Sequence, residues 1–368
     1  MITVPYVNLP LQHKEIKQSL LDSIEALIDS GQYILGPHVE EFERNFSSFC
    51  NTKYAVGVDN GTSALLLTLK ALGIGPGDEV ITAANSFLAS ASCIALAGAR
   101  PVLADVRDDY CIDPEFAASV ITERTKAIIP VHLTGHPAAM AELAKLADRH
   151  GIFLVEDAAQ AVGARYAGQA VGSFGVAGCF SFHPLKILSA IGDGGIITTN
   201  DHALHEKLLK ARNHGLRNRD ECEHWNPNAR LDAIQAVILN SKMAFLHRSI
   251  SRRREIAKRY GSELSGVVKV PTDNEGETSV YQTYIIQSER RDHLQKFLLE
   301  RGIESKVHYP IPIHLQPAAA SLGYKMGDFP VTERQSQHIL SLPLYPELTE
   351  NQIESVICAV KKFHTQTS

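Results

Sequence analysis

Short apolar runs at residues 54–58, 79–82, 101–104, 127–131, 152–155, 176–182 and 196–199 alternate with stretches of helical spacing. No other feature narrows the possible folds as far. An apolar run of strand length without polar alternation has both faces buried. Covering both faces takes a layer of helices on each side, and helical patterns near 64–72, 113–119, 137–150 and 202–213 can supply them. Strands separated by helices join as parallel neighbours. The expected fold is therefore α/β, with a mostly parallel, doubly wound sheet. Ligands of such sheets sit at the carboxyl ends of the strands, so the residues just after each run are the candidates for chemistry.

Ahead of this core, helices are expected at about 14–30 and 38–50, and behind it one long helix over 229–260. That helix should leave the sheet domain near residue 245. Beyond it, a strand at 281–287 and helices at 289–301, 329–339 and 349–363 suggest a smaller α+β unit. The expected division is a large domain, 1–245, and a small one, 246–368. A chain of 368 residues with 44% hydrophobic and 21% charged residues can bury a core of that size. Net charge is −5 with no long run of one sign, so nucleic acid is not an expected partner. The densest basic cluster, Arg252-Arg253-Arg254, is expected on a solvated helix face. The six cysteines form no C-x-x-C pair and no cluster of zinc-ligand spacing, so no metal is expected and a reducing cytoplasm suits them. No signal-like apolar core opens the chain, and no run nears the about 18 apolar residues of a membrane span.

Lys186 stands between two of the buried runs, after Pro184 and before the turn Gly192-Asp193-Gly194-Gly195. A lysine in apolar surroundings has its pKa lowered, which frees the amine as a nucleophile toward aldehydes. Twenty-nine residues upstream, Asp157 follows the run at 152–155 and begins the sequence Asp157-Ala158-Ala159-Gln160. Lysine and carboxylate are the two protein groups that a pyridoxal phosphate (PLP) site needs, one for the aldehyde and one for the ring nitrogen. Asp59-Asn60-Gly61-Thr62-Ser63 joins a strand to a helix, and a helix start with free N–H groups and hydroxyls is an anion site. Neither a G-x-G-x-x-G turn nor a Walker A loop occurs, so no dinucleotide or P-loop site is expected.

Together these stretches resemble the nucleotide-sugar aminotransferases, the DegT-like branch of fold type I PLP enzymes, over nearly the whole chain. The resemblance implies that Lys186 and Asp157 are catalytic. It places Gly61, Thr62, Ser63 and Ser181 on the cofactor phosphate, Phe87 over the ring and Gln160 beside the ring hydroxyl. Asn228, in Asn228-Ala229-Arg230-Leu231-Asp232, would cross a homodimer interface to the partner's phosphate, giving shared active sites; locally it would also cap the long helix. Tyr33, and His308, Tyr309 and His314 on the proline-stiffened loop 307–317, would meet the substrate. His132 and His136 are expected to be structural.

The implied reaction is transamination of a dTDP- or UDP-linked keto-sugar, with glutamate as amino donor and pyridoxamine 5'-phosphate as the intermediate cofactor form. It would serve amino-sugar biosynthesis, for example toward the O-antigen of lipopolysaccharide. His183-Pro184-Leu185-Lys186 with the Gly-Asp-Gly-Gly turn resembles members that aminate carbon 3, whereas carbon-4 members more often carry Glu in that turn. A sugar dehydratase on this fold usually has His in place of the lysine, so Lys186 argues against it. A non-catalytic regulator would have no need of the intact Lys, Asp, Gln and Ser set.

Overall fold

A computed structural model describes residues 2–365. A seven-stranded sheet carries the architecture. Its strands are β1 (Tyr54–Val58), β2 (Glu79–Ala83), β3 (Arg100–Ala104), β4 (Thr125–Ile129), β5 (Phe153–Asp157), β8 (Ala177–Ser181) and β9 (Gly195–Thr199). Between β5 and β8 lie the short strands β6 (Arg165–Tyr166) and β7 (Gln169–Ala170), which pair with each other, and β6 also pairs with β10 (Glu277–Thr278). The order across the large sheet is β1-β9-β8-β5-β4-β2-β3. Pairings from β8 through β3 are parallel, and β9 alone runs against both its neighbours. The mostly parallel α/β fold expected from the alternating runs is what forms.

Helices α1 (Leu9–Gln12), α2 (Lys17–Ser30), α3 (Pro37–Cys50), α4 (Gly61–Ala71), α5 (Leu88–Leu96), α6 (Pro114–Ser119), α7 (Met140–His150) and α8 (His202–Ala211) accompany the sheet. Their faces follow the sequence spacing. On α7, Met140, Leu143, Leu146 and Ala147 are buried, an i, i+3, i+6, i+7 stripe. α2 and α7 stop at Gly31 and Gly151, both in the left-handed region that glycine enters without strain. Three apolar clusters, around Phe46 and Phe182, Leu67 and Ile197, and Ile81 and Leu143, fill the space against the sheet.

The long helix expected over 229–260 is two helices, α9 (Ala233–Met243) and α10 (Leu246–Leu264). The break has a local cause. Phe245 N–H bonds the Lys242 carbonyl three residues back, Lys242 turns inward, and Leu246 is buried on the far side of the bend. Asp232, not Asn228, stands at the N-cap of α9. α10 also corrects the expectation of a solvated arginine face. Arg253 is buried and donates to the Tyr281 and Leu344 carbonyls, because it ties the helix to two loops that need donors.

α10 packs on a second core with α11 (Arg291–Glu300), α13 (Glu350–Thr365) and the antiparallel pair β11 (Tyr284–Gln287) and β12 (Ile339–Leu342), which follows α12 (Pro330–His338). The strand expected at 281–287 begins only at Tyr284, since Tyr281 has a left-handed φ of 50° that no strand allows. Val4 belongs to this core too, paired with Ile303, so the first residues pack with the last third of the chain. Among the described residues no helix is long and apolar enough to cross a membrane.

Candidate active site

β5 and β8 run side by side and end at Asp157 and Ser181. β9, running the other way, starts at the same edge, with Gly195 paired to Ser181 and Val58. The connection from 182 to 194 therefore lies on the carboxyl ends of the parallel strands, where open α/β sheets bind ligands. It is closed by Phe182 N–H to the Gly194 carbonyl and Ala190 N–H to the Phe182 carbonyl, each 2.7 Å. Lys186 sits inside this closed loop, its N–H bonded to the His183 carbonyl at 2.8 Å.

Burial pushes the Lys186 pKa down to about 8, against the opposing pull of the Asp157 charge. Asp157 is buried, and burial raises its pKa. Its carboxylate is held from the other side: Ser90 Oγ donates to Oδ2 at 2.6 Å and Ala159 N–H to Oδ1 at 3.2 Å. Ser86 Oγ lies 2.8 Å from Ser90 Oγ and extends the chain of hydroxyls. The result is an amine of lowered pKa within electrostatic reach of a desolvated carboxylate that forms no ion pair among the described residues.

The start of α4 stands beside them. Asn60 caps it, accepting from Ser63 N–H at 2.8 Å and giving its carbonyl to Ala64 N–H. That leaves the N–H groups of Gly61 and Thr62 at the positive end of the helix. Gly61 is glycine for a steric reason: a Cβ there would fall 2.8 Å from Ser181 Cβ. The helix start and Ser181 thus stand in contact, an arrangement of backbone N–H groups and a hydroxyl that can hold an anion.

A wall of aromatic and polar groups completes the arrangement. Gln160 Oε1 accepts from Thr134 N–H at 3.0 Å and its Nε2 donates to Tyr309 OH at 3.3 Å. The Tyr309 ring lies 5.6 Å from that of Phe87, whose ring is exposed at the head of α5. Burial and the Asp157 charge together hold the Tyr309 hydroxyl up near 12. His308 is pushed down to about 4, by burial first and then by Lys186 and Lys306, and so is neutral at ordinary pH. Its Nδ1 is 2.9 Å from Ser341 Oγ.

The profile of the DegT/DnrJ/EryC1/StrS aminotransferase family matches residues 14–361 of this chain. The chain is an aminotransferase of that family. It is 41% identical to a dTDP-3-amino-3,4,6-trideoxy-alpha-D-glucose transaminase from Streptomyces venezuelae over 98% of this chain and 96% of that one. It is 42% identical to a pleiotropic regulatory protein from Geobacillus stearothermophilus over 99% of each. Its fold superposes on that of S. venezuelae DesV, solved in complex with a ketimine intermediate, with a TM-score of 0.98 at 40% identity, covering 100% of both chains.

Of the residues that the sequence of this aminotransferase suggested, the fold gathers Lys186, Asp157, Gln160, Phe87, His308 and Tyr309 in one place. Gly61, Thr62, Ser63 and Ser181 lie at the α4 end of it. Three others have different surroundings. His314 is buried beside Phe329, with Nε2 2.9 Å from Glu333 Oε1, and Glu333 in turn accepts from Gly327 N–H. Asn228 is exposed and accepts from Arg230 Nε at 2.8 Å; Tyr33 is exposed and donates to the Ile28 carbonyl at 3.2 Å. The helix cap expected of Asn228 is absent because α9 begins at Ala233, after an extended stretch in which Asn228 pairs with Asn213.

His132 is fully buried and structural. Its Nδ1 accepts from Ala138 N–H at 2.9 Å, so Nε2 carries the proton and donates to Glu156 at 3.2 Å. Glu156 also accepts from the N–H groups of Gly172, Phe174 and Gly175. His136, bonded to Ser279 and paired with Glu277, is likewise structural. Sequence reasoning missed Ser90. Its signal in the sequence is weak: one of two serines in a helix of small and apolar residues, the one on the buried face.

Proposed function

We propose that this aminotransferase moves the amino group of glutamate to a dTDP- or UDP-linked keto-sugar, at carbon 3, with PLP as cofactor. The observation that carries the reading is Lys186, its pKa lowered by desolvation, near the buried carboxylate of Asp157 at the strand ends, with the amino end of α4 next to them. These residues fit PLP. The carboxylate without a fixed cation suits a protonated ring nitrogen, the amine of lowered pKa suits an aldehyde, and the free N–H groups at Gly61 and Thr62 suit a phosphate.

Bound PLP supplies an aldehyde and an electron-withdrawing ring. Lys186 would be the amine that holds the aldehyde, and its Nζ, when free, would move a proton to and from the donor's α-carbon. Asp157, steadied by Ser90, would hold a proton on the ring nitrogen. Gln160 and Tyr309, bonded to each other, would lie along the ring's hydroxyl edge, and Phe87 would cover a face; an offset aromatic stack adds about 0.5–1.5 kcal/mol. Neutral His308 can donate or accept toward a sugar hydroxyl without adding charge.

A homodimer with shared sites is part of the same proposal. Tyr33, Ile34, Phe87, Leu185, Ile191 and Ile234 leave apolar surface open around the site, more than scattered single residues account for. Asn228 would reach the partner's phosphate from there. The activity in the name of the S. venezuelae relative supports carbon 3, as does the Gly-Asp-Gly-Gly turn. Incubation with glutamate and separate 3-keto and 4-keto sugar nucleotides tests the choice. Amination of the 3-keto compound is expected, and turnover of the 4-keto compound alone would refute it. The regulatory name of one relative favours no second reading here, because a sensor has no use for a lysine of lowered pKa.

A further inference from the structure

One amide outside the catalytic set touches the main chain on both sides of Lys186. Gln282 Oε1 accepts from Ile187 N–H at 3.1 Å, and Gln282 Nε2 donates to the Leu185 carbonyl at 2.8 Å. A single side chain thereby takes the part of a neighbouring strand around residue 186. Because Ile187 offers a donor and Leu185 an acceptor, only one orientation of the amide satisfies both. Lys186 N–H is itself held by His183. Three consecutive backbone groups around the lysine are thus fixed, and with them the direction in which its Cα–Cβ bond leaves the chain.

Gln282 is held firmly in turn. Val280 N–H bonds the Gly135 carbonyl at 3.0 Å and Thr283 N–H the Thr134 carbonyl at 3.3 Å, while Arg253 holds the Tyr281 carbonyl. Tyr281 has a left-handed φ of 50°, a conformation that aims the next residue back over the loop. A Cβ at Gly135 would come within 2.9 Å of Gln282 N and 3.0 Å of the Gln160 carbonyl. Glycine at 135 therefore lets the strut that carries Gln282 lie directly against the turn that carries Gln160. Two other side chains grip the same loop farther on: Lys242 Nζ donates to the Ser189 carbonyl at 2.7 Å, and Gln235 pairs with both main-chain groups of Ile191 at 2.9 Å. They fix the loop's far half; among the described residues only the Gln282 side chain brackets the lysine.

We propose that Gln282 is a positioning residue that aims the Lys186 amine at the cofactor aldehyde. The inference rests on the reading of Lys186 as the cofactor-bonding lysine. Bringing reacting atoms into line is a large part of what an enzyme contributes to a bond-forming step, and an error of an ångström in the lysine's origin is enough to slow it. Gln282 touches no reacting atom. Its effect should therefore appear in how fast and how completely the lysine bonds the aldehyde, and not in how well the pocket holds the cofactor's ring and phosphate.

The test uses the apoprotein and three variants. Gln282→Met keeps the length and loses both hydrogen bonds; Gln282→Glu keeps the acceptor for Ile187; Lys186→Arg controls for the reading itself. Two quantities are measured: the rate of appearance of the visible band on mixing with PLP, and the Kd for pyridoxamine phosphate, which has no aldehyde to bond. The expected result is band formation slowed about tenfold or more in Gln282→Met and by less in Gln282→Glu. The pyridoxamine phosphate Kd should stay within about twofold of wild type in both. Band formation at the wild-type rate in both variants overturns the proposal, as does a parallel loss of pyridoxamine phosphate affinity. If Gln282→Met does not fold, Gln282→Glu decides by the same two measurements. A band that survives in Lys186→Arg would instead refute the assignment of the lysine, and so separates the two failures.

Discussion

At the scale of single residues, the proposed chemistry depends on two groups displaced from their ordinary states by desolvation. Lys186 has lost much of the solvation that keeps a lysine charged, which brings its pKa from 10.5 to about 8. Below that value the amine is protonated and cannot attack. Bonding of PLP to the apoprotein should therefore rise about tenfold per pH unit up to about 8 and level off above it. A stopped-flow pH series measures this, and a midpoint near the ordinary lysine value would contradict it. Asp157→Asn removes the charge that would hold a proton on the ring nitrogen. It should lower kcat by about a hundredfold or more while leaving thermal stability near wild type, since a desolvated charge is removed with it. Ser90→Ala takes one donor from that carboxylate. A hydrogen bond to a charged group contributes about 1.5–3 kcal/mol, so kcat should fall about tenfold or more with little change in KM for the sugar nucleotide. Lys186 and Asp157 stand out as candidates in the sequence because each follows an apolar run where a strand gives way to a loop, whereas Gln160 is implied by the family resemblance alone. Ser90 and Gln282 were not legible, because their partners lie 67 and 95 residues away in the chain. No local pattern encodes such a meeting; it exists only once the sheet has formed.

At the scale of elements, the site is built from ends: the carboxyl ends of β5 and β8 and the amino end of α4. Those ends could be read from the sequence to within a few residues, since apolar runs and caps mark them. The bend at Phe245 could not, because α9 and α10 continue one helical pattern and only the inward turns of Lys242 and Leu246 break it. The burial of Arg253 escaped for a similar reason, as its acceptors are carbonyls of distant loops. One close approach among these ends is Gly61 against Ser181. Gly61→Ala would force a methyl group into space that Ser181 Cβ occupies, 2.8 Å away. Overpacking of this kind costs about 1–3 kcal/mol, and the strain falls where the phosphate would bind. Calorimetry should show that loss, together with a Kd for pyridoxamine phosphate weakened about tenfold or more. An unchanged Kd would mean that the helix start does not carry the phosphate.

At the scale of the whole molecule, the proposal needs a second copy of the chain. Asn228 and Tyr33 are exposed, and apolar surface lies open around the site they were expected to serve. If Asn228 acts in the partner's site, a Lys186→Ala chain and an Asn228→Ala chain should complement each other. Each is inactive alone, but the mixed dimer pairs an intact lysine in one chain with an intact asparagine from the other. Refolding the two together should recover activity at about one quarter of the wild-type level, the share of intact sites under random pairing of equal amounts. No recovery would mean that Asn228 serves its own chain or none. All of this presumes the bond between Lys186 and PLP, and a spectrum examines that bond most directly. Purified protein mixed with PLP should develop a visible band that fades on addition of glutamate, and Lys186→Arg should develop none. A protein that stays colourless, or a variant that colours and turns over like the wild type, would contradict the account.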